Sequence, residues 1–227
     1  MVQPVTFCGR VKFTSDTAQA YDEAYWYYDW KNSWNPLPGN NAAFKYMLYE
    51  FDFMVDAASA DANSPQGLEW EVQQTATQGG TQFYTRNFAF QDDYKDSQKW
   101  RVFDYSLAKQ TGFCDGAKFP WARCWQSTNF SYTALAANTW YHIQFETHLD
   151  ARFSPPIVRH DAFRVCLANG QQCPASTRKP LDYHNAHDSW ATTLPGQITN
   201  AVQLDRKGTS TPAYHAYANN MNVWWTQ

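Results

Sequence analysis

Residues 46–55 read Tyr46-Met-Leu-Tyr-Glu-Phe-Asp-Phe-Met-Val55. Met47, Tyr49, Phe51, Phe53 and Val55 share one parity; Tyr46, Leu48, Glu50, Asp52 and Met54 share the other. Successive side chains of a strand point to opposite faces, so this period-2 pattern predicts a strand with one face in an apolar core. The same alternation recurs in Leu68-Glu-Trp-Glu-Val-Gln-Gln74, where Leu68, Trp70 and Val72 oppose Glu69, Glu71 and Gln73. In Trp140-Tyr-His-Ile-Gln-Phe-Glu-Thr-His-Leu149, Tyr141, Ile143 and Phe145 oppose His142, Gln144, Glu146 and His148. Gln82 to Phe90, Trp100 to Tyr105, Ala162 to Leu167 and Tyr214 to Trp225 complete the predicted strands. Polar loops containing Pro and Gly are expected over residues 56–67, 108–129 and 175–196. The one helical candidate is Thr17 to Tyr25, with Ser15 or Asp16 as N-cap. Many strands, long loops and almost no helix predict an antiparallel sandwich.

The 227 residues suit one large β-domain, and neither a linker-like stretch nor a fixed repeat divides residues 1–227. Aromatic residues make up 18% and charged residues 17%, a composition opposite to that of disordered chains. A formal charge of -3 argues against a nucleic-acid partner, and no apolar run reaches the roughly 18 residues of a membrane helix. Cys166 and Cys173 flank an Asn169-Gly170 turn, and Cys114 and Cys124 flank an aromatic loop. Both spacings predict local disulfides in a secreted or extracellular protein, with Cys8 unpaired. Five reduced, buried thiols are the alternative. Zinc is disfavoured, because no CxxC pair exists and the histidines lie far from the cysteines.

At Tyr49-Glu-Phe-Asp-Phe53, Leu68-Glu-Trp-Glu-Val-Gln-Gln74, Asn138-Thr-Trp-Tyr-His142 and Ala201-Val-Gln-Leu-Asp205 the chain resembles exported bacterial domains of the concanavalin A-like lectin/glucanase superfamily. The resemblance spans roughly residues 45 to 225. It implies an all-β jelly-roll sandwich of two curved antiparallel sheets, the concave one forming a groove for a sugar chain. Glucanases of that superfamily carry acids at alternate positions of one concave strand. Here the matching strand reads Glu69-x-Glu71-x-Gln73, and its third position cannot donate a proton. Residues two apart lie about 6.5 to 7 Å from each other, within the roughly 5 to 9.5 Å that glycosidase carboxylates need. Glu146 or His142 could supply the missing acid if the two strands lie side by side.

Glu50 and Asp52 form a second acidic pair; structural pairing under a loop is preferred to catalysis there, and a calcium ligand pair is a third option. Tyr25-Trp-Tyr-Tyr-Asp-Trp-Lys-Asn-Ser-Trp34 packs aromatics densely. Trp26, Trp30 and Trp34 either present flat rings to a sugar or form the buried stripe of a short helix. Phe119 to Trp125 is a second aromatic loop. His184, His187 and Asp188 could chelate a metal only if helical, and nearby Pro180 and Pro195 favour a loop. Asn129-Phe-Ser131 fits a glycosylation sequon.

The expected function is a polysaccharide- or oligosaccharide-binding domain. Gln73, His142, Gln144, Gln203 and the tryptophans would be its ligand contacts. The alternative is an endo-acting glycoside hydrolase on a β-glucan or related polysaccharide, with Glu69, Glu71 and Glu146 catalytic. No cofactor is expected, apart from the calcium option, and no membrane partner.

Overall fold

Among the described residues there are fourteen strands. In order they are β1 (Val5–Phe7), β2 (Val11–Ser15), β3 (Tyr21–Lys31), β4 (Tyr46–Val55), β5 (Gly67–Gln78), β6 (Thr81–Asp93) and β7 (Lys99–Phe103), then β8 (Trp125–Ser131), β9 (Tyr141–Asp150), β10 (Ile157–Leu167), β11 (Lys179–Asn185), β12 (Ser189–Ala191), β13 (Gln197–Lys207) and β14 (Tyr214–Thr226). This computed structural model describes these strands together with residues 136–140, 152, 168–170 and 172–178. It describes side chains for residues 46–54, 128, 130, 136–148, 152, 159–170, 172–181, 217–222 and 224.

All pairings are antiparallel and build two seven-stranded sheets. Sheet A runs β1-β14-β4-β9-β10-β11, with β2 also on β14; sheet B runs β3-β13-β5-β6-β7-β8, with β12 also on β6. The all-β class and the two antiparallel sheets are as the sequence predicts.

The apolar parity of β4 and β9 makes the inner face of sheet A. Tyr49, Phe51 and Phe53 have no exposed surface, and Met47, Ile143 and Phe145 are buried beside them. Burying each such side chain contributes about 1.5–3 kcal/mol. Tyr49 and Phe145 meet edge-on at 4.7 Å and Phe51 and Phe53 at 6.5 Å, the tilted geometries that aromatic quadrupoles favour. Phe163 of β10, in register with Phe145, packs at 5.6 Å on Phe130 of β8, so this face meets sheet B.

Several expectations need correction. Residues 21–25, placed in a helix by sequence, belong to β3. The aromatic residues Tyr25 to Tyr28 within that strand suit a pleated surface, and β3 pairs with β13 along its whole length. Trp26 and Trp30 stand on that strand with registers to Val202 and Ile198, which removes the helical-stripe reading; Trp34 lies outside the described residues. The loop expected over 175–196 contains β11 and β12. His184 is thus in a strand rather than the expected loop, while His187 and Asp188 lie outside the described residues. The largest correction concerns β5. Glu69 and Glu71 stand in sheet B, and His142 and Glu146 stand on β9 of sheet A, so the two strands are not neighbours.

Candidate functional site

The polar parity of β4 and β9 forms the opposite face of sheet A. Register places Asp52 beside His142, Glu50 beside Gln144 and Leu48 beside Glu146. On the far side of β4, β14 brings Asn222 to Glu50 and Trp224 to Leu48. On the far side of β9, β10 brings Arg164 to Gln144 and Cys166 to His142. One row therefore crosses four strands: Asn222, Glu50, Gln144, Arg164.

The segment after β10 folds back over this row. Gly170 has φ 78°, the left-handed conformation glycine adopts without a Cβ penalty, and it turns the chain. A Cys166–Cys173 disulfide, as predicted from the spacing, then fixes the loop beside His142. The Cys173 sulfur lies 3.5 Å from the His142 carbonyl oxygen. From this loop Gln172 Nε2 donates to Glu50 Oε2 at 3.3 Å, and the Gln172 carbonyl accepts from Gln144 Nε2. Arg178, just before β11, clamps Glu146 with Nε–H bonds of 3.1 Å to both oxygens and an Nη2 bond of 2.6 Å. The Cys114–Cys124 pairing and Cys8 lie outside the described residues.

Glu50 is 2% exposed and accepts from Gln144 (2.7 Å), Trp224 Nε1 (3.0 Å), Asn222 (3.2 Å) and Gln172. Burial alone would push its carboxyl up, but hydrogen bonds from His142, Trp224, Gln144 and Gln172 outweigh it and hold the pKa at about 2. His142 Nδ1 donates to Asp52 Oδ1 at 2.7 Å, and its Nε2 lies 3.5 Å from Glu50 Oε2. Burial would lower the imidazole; the hydrogen bonds and charges of Asp52 and Glu50 raise it to about 9. Asp52 also accepts from Asn220 Nδ2 at 2.6 Å. Glu146 follows the same pattern. Burial raises it, but the Arg178 bonds, the Arg164 charge and a Tyr46 hydrogen bond bring it below the usual carboxylate range. At the border, His148 Nδ1 lies 2.8 Å from both Asp161 oxygens.

Among the described residues, three buried polar atoms on this face are incompletely partnered: His142 Nε2, which has only the long 3.5 Å ion pair with Glu50 Oε2, and Arg164 Nε and Asn222 Oδ1, which have no hydrogen-bond partner. The first and second are donors on the charged forms, and the third is an acceptor.

Of the residues expected at a site, the structure gathers His142, Gln144 and Glu146 on one face with Glu50 and Asp52. Glu50 lies under the loop that carries Gln172, whereas Asp52 is held by His142 and Asn220 from the neighbouring strands. Glu69, Glu71, Gln73 and Gln203 occupy β5 and β13 of the other sheet, where Gln203 faces Glu69 in register; their side chains lie outside those described, as do those of Trp26 and Trp30. Sequence reasoning missed Trp224, Asn222, Arg164, Gln172 and Arg178. Parity held the signal for the first two, since Asn220, Asn222 and Trp224 alternate in the closing strand. The local cysteine bridge held it for Gln172, which adjoins Cys173.

The chain matches no family model and no curated protein. Among solved structures it is similar to an alginate lyase from Chlorella virus, at 12% identity and TM-score 0.47, over 98% of this chain and 89% of that one. A GH131 β-glucanase catalytic domain from Podospora anserina aligns at 13% identity and TM-score 0.43, over 96% of this chain and 72% of that one. A basic winged bean lectin solved with Tn-antigen aligns at 9% identity and TM-score 0.36, over 96% of this chain and 100% of that one. These neighbours are carbohydrate-active or carbohydrate-binding proteins, and at such identities and scores the likeness carries no argument about the activity of this chain.

Proposed function

We propose that the chain is a non-catalytic polysaccharide-binding domain, acting outside the cytosol, whose ligand lies on the polar face of sheet A. One observation carries this reading: the buried and incompletely partnered His142 Nε2, Arg164 Nε and Asn222 Oδ1 gathered around Glu50 and Gln144 among the described residues. A buried polar group left unmet costs about 1–3 kcal/mol. A sugar offers several hydroxyls, each able to donate and accept, and so suits a face with unmet donors and an unmet acceptor. Trp224, anchored by its indole N–H on Glu50, and Tyr46, 36% exposed, supply aromatic surface beside these polar groups.

Ionisation supports binding over hydrolysis. A glycosidase needs one carboxyl that keeps its proton near neutral pH. Glu146, the expected acid, is instead held ionised by Arg178 and Arg164, and Glu50 is held at about 2. Glu69 and Glu71, on the other sheet, form no part of this reading. The disulfide suits an oxidising compartment. Among the described residues no helix is long and apolar enough to cross a membrane.

The test is a panel of soluble polysaccharides read for gel retardation and for new chain ends. Retardation by at least one polymer without new ends is expected, and Gln144→Ala should weaken it about tenfold or more. New chain ends released by the wild type would reject the non-catalytic reading.

A further inference from the structure

Gln172 differs from the other side-chain amides and the indole that donate to Glu50. Asn222, Trp224 and Gln144 project from strands, whereas Gln172 reaches in from the disulfide-held loop and is an exposed residue. Its carboxamide donates to Glu50 and accepts from Gln144, which are 2% and 1% exposed. The side-chain amide of an exposed residue thus connects one buried acceptor to one buried donor. A sugar hydroxyl carries the same two functions on a single oxygen: its O–H donates and its lone pairs accept. Beside them, His142 Nε2 makes only a long, 3.5 Å ion-pair contact with Glu50 Oε2. Gln172 adds no acceptor to that donor, and a smaller hydroxyl oxygen above Glu50 can accept from it as well.

We propose that Glu50, Gln144 and His142 form the hydroxyl-recognising subsite of the domain, and that Gln172 is its resident stand-in, displaced when ligand binds. This inference rests on the polysaccharide-binding reading. The Cys166–Cys173 bond ties Gln172 close to the subsite, so the stand-in acts at the high effective concentration of a short tether. Ligand affinity is then reduced by the fraction of molecules in which the subsite is open.

The proposal is tested by titrating wild type, Gln172→Ala and Gln144→Ala with laminarin, hydroxyethylcellulose, xylan and alginate, using affinity electrophoresis and calorimetry. Gln172→Ala should bind the retained polymer about three- to tenfold tighter, because a competing hydrogen bond is gone. Gln144→Ala should bind it more weakly. The exposed position of Gln172 lets the variant fold, which a single cooperative thermal transition confirms. Wild-type retention with equal or weaker binding by Gln172→Ala overturns the stand-in and leaves the binding reading standing. If neither wild type nor Gln172→Ala binds any of the four polymers, both fall.

Discussion

On one side of β4, Tyr49, Phe51 and Phe53 pack without exposed surface and without charge. On the other side of the same strand, Glu50 is almost as deeply buried, yet it is ionised and surrounded by donors. The inner face excludes water by shape, and its stability scales with apolar area. The polar face excludes water while keeping charges, which is tolerable only where partners replace the lost hydration. Each face also contains a histidine. His160 of β10 registers with Thr147, on the inner parity, and neither ring nitrogen has a hydrogen-bond partner among the described residues. Burial lowers it to about 4. His142, less deeply buried and flanked by two carboxylates, is raised to about 9. Burial alone therefore does not predict protonation; the neighbours decide it.

The sharpest way to break this contrast is Phe51→Ala. An inner-face cavity of that size should cost about 3–5 kcal/mol, read by urea unfolding. A loss below about 1 kcal/mol would mean that the inner face is not a packed core. Glu50→Gln should cost less, about 1–3 kcal/mol, since an amide NH₂ then faces donors that had a carboxylate oxygen. It should also lower the His142 pKa, followed by NMR, because one of the two carboxylates that raise it is neutralised.

The two histidines should act on opposite sides of neutrality. His142 has a folded pKa of about 9 against an ordinary 6.5. Its stabilising contribution is fully present below pH 6.5 and is lost as pH rises through 9. His160 has a folded value of about 4 against 6.5, so the unfolded chain binds the extra proton. Stability from this group is present above pH 6.5 and falls as pH drops towards 4. Below that, Glu50 adds a further loss between 4.5 and about 2. Unfolding free energy measured against pH should peak near 6.5; His142→Gln should flatten the alkaline side and His160→Leu the acid side. A profile unchanged by both substitutions would sink the contrast. The smallest effect belongs to Tyr49→Phe. Its hydroxyl is fully buried without a partner, so removal should change stability by less than about 1 kcal/mol, in the neutral or stabilising direction.

Much of this was legible where alternation is strict. Residues 46–55 and 141–149 named both their strand and their two faces, because an inner Tyr49 or Phe145 and an outer Glu50 or Gln144 differ in one property that repeats every second residue. The site was half legible for the same reason: its β4 and β9 members were singled out, although Glu69 was expected beside them. Period 2 fixes which residues share a face, but it carries no information on which strands are neighbours. The β10 contribution was also hidden by a bulge. His160 registers with Thr147 and Ala162 with Glu146, so Asp161 is an extra residue that interrupts the parity. Tyr21 to Lys31 misled in the other direction, because consecutive aromatics over Tyr25 to Tyr28 mask alternation although the strand is regular.

Sheet A also constrains the order in which the molecule can be assembled. Residues 214–226 pair with β1 and β2 along one edge and with β4 along the other; Val223 alone faces Val5 and Tyr49. Three early segments thus wait for a late one. Loop closures of such length are entropically slow, and proteins dominated by distant pairings fold orders of magnitude more slowly than helical ones. During synthesis β4 emerges with an apolar face and an open edge long before its partner exists. That interval is when Tyr49, Phe51 and Phe53 stand exposed to other nascent chains, and when a chaperone would find its target.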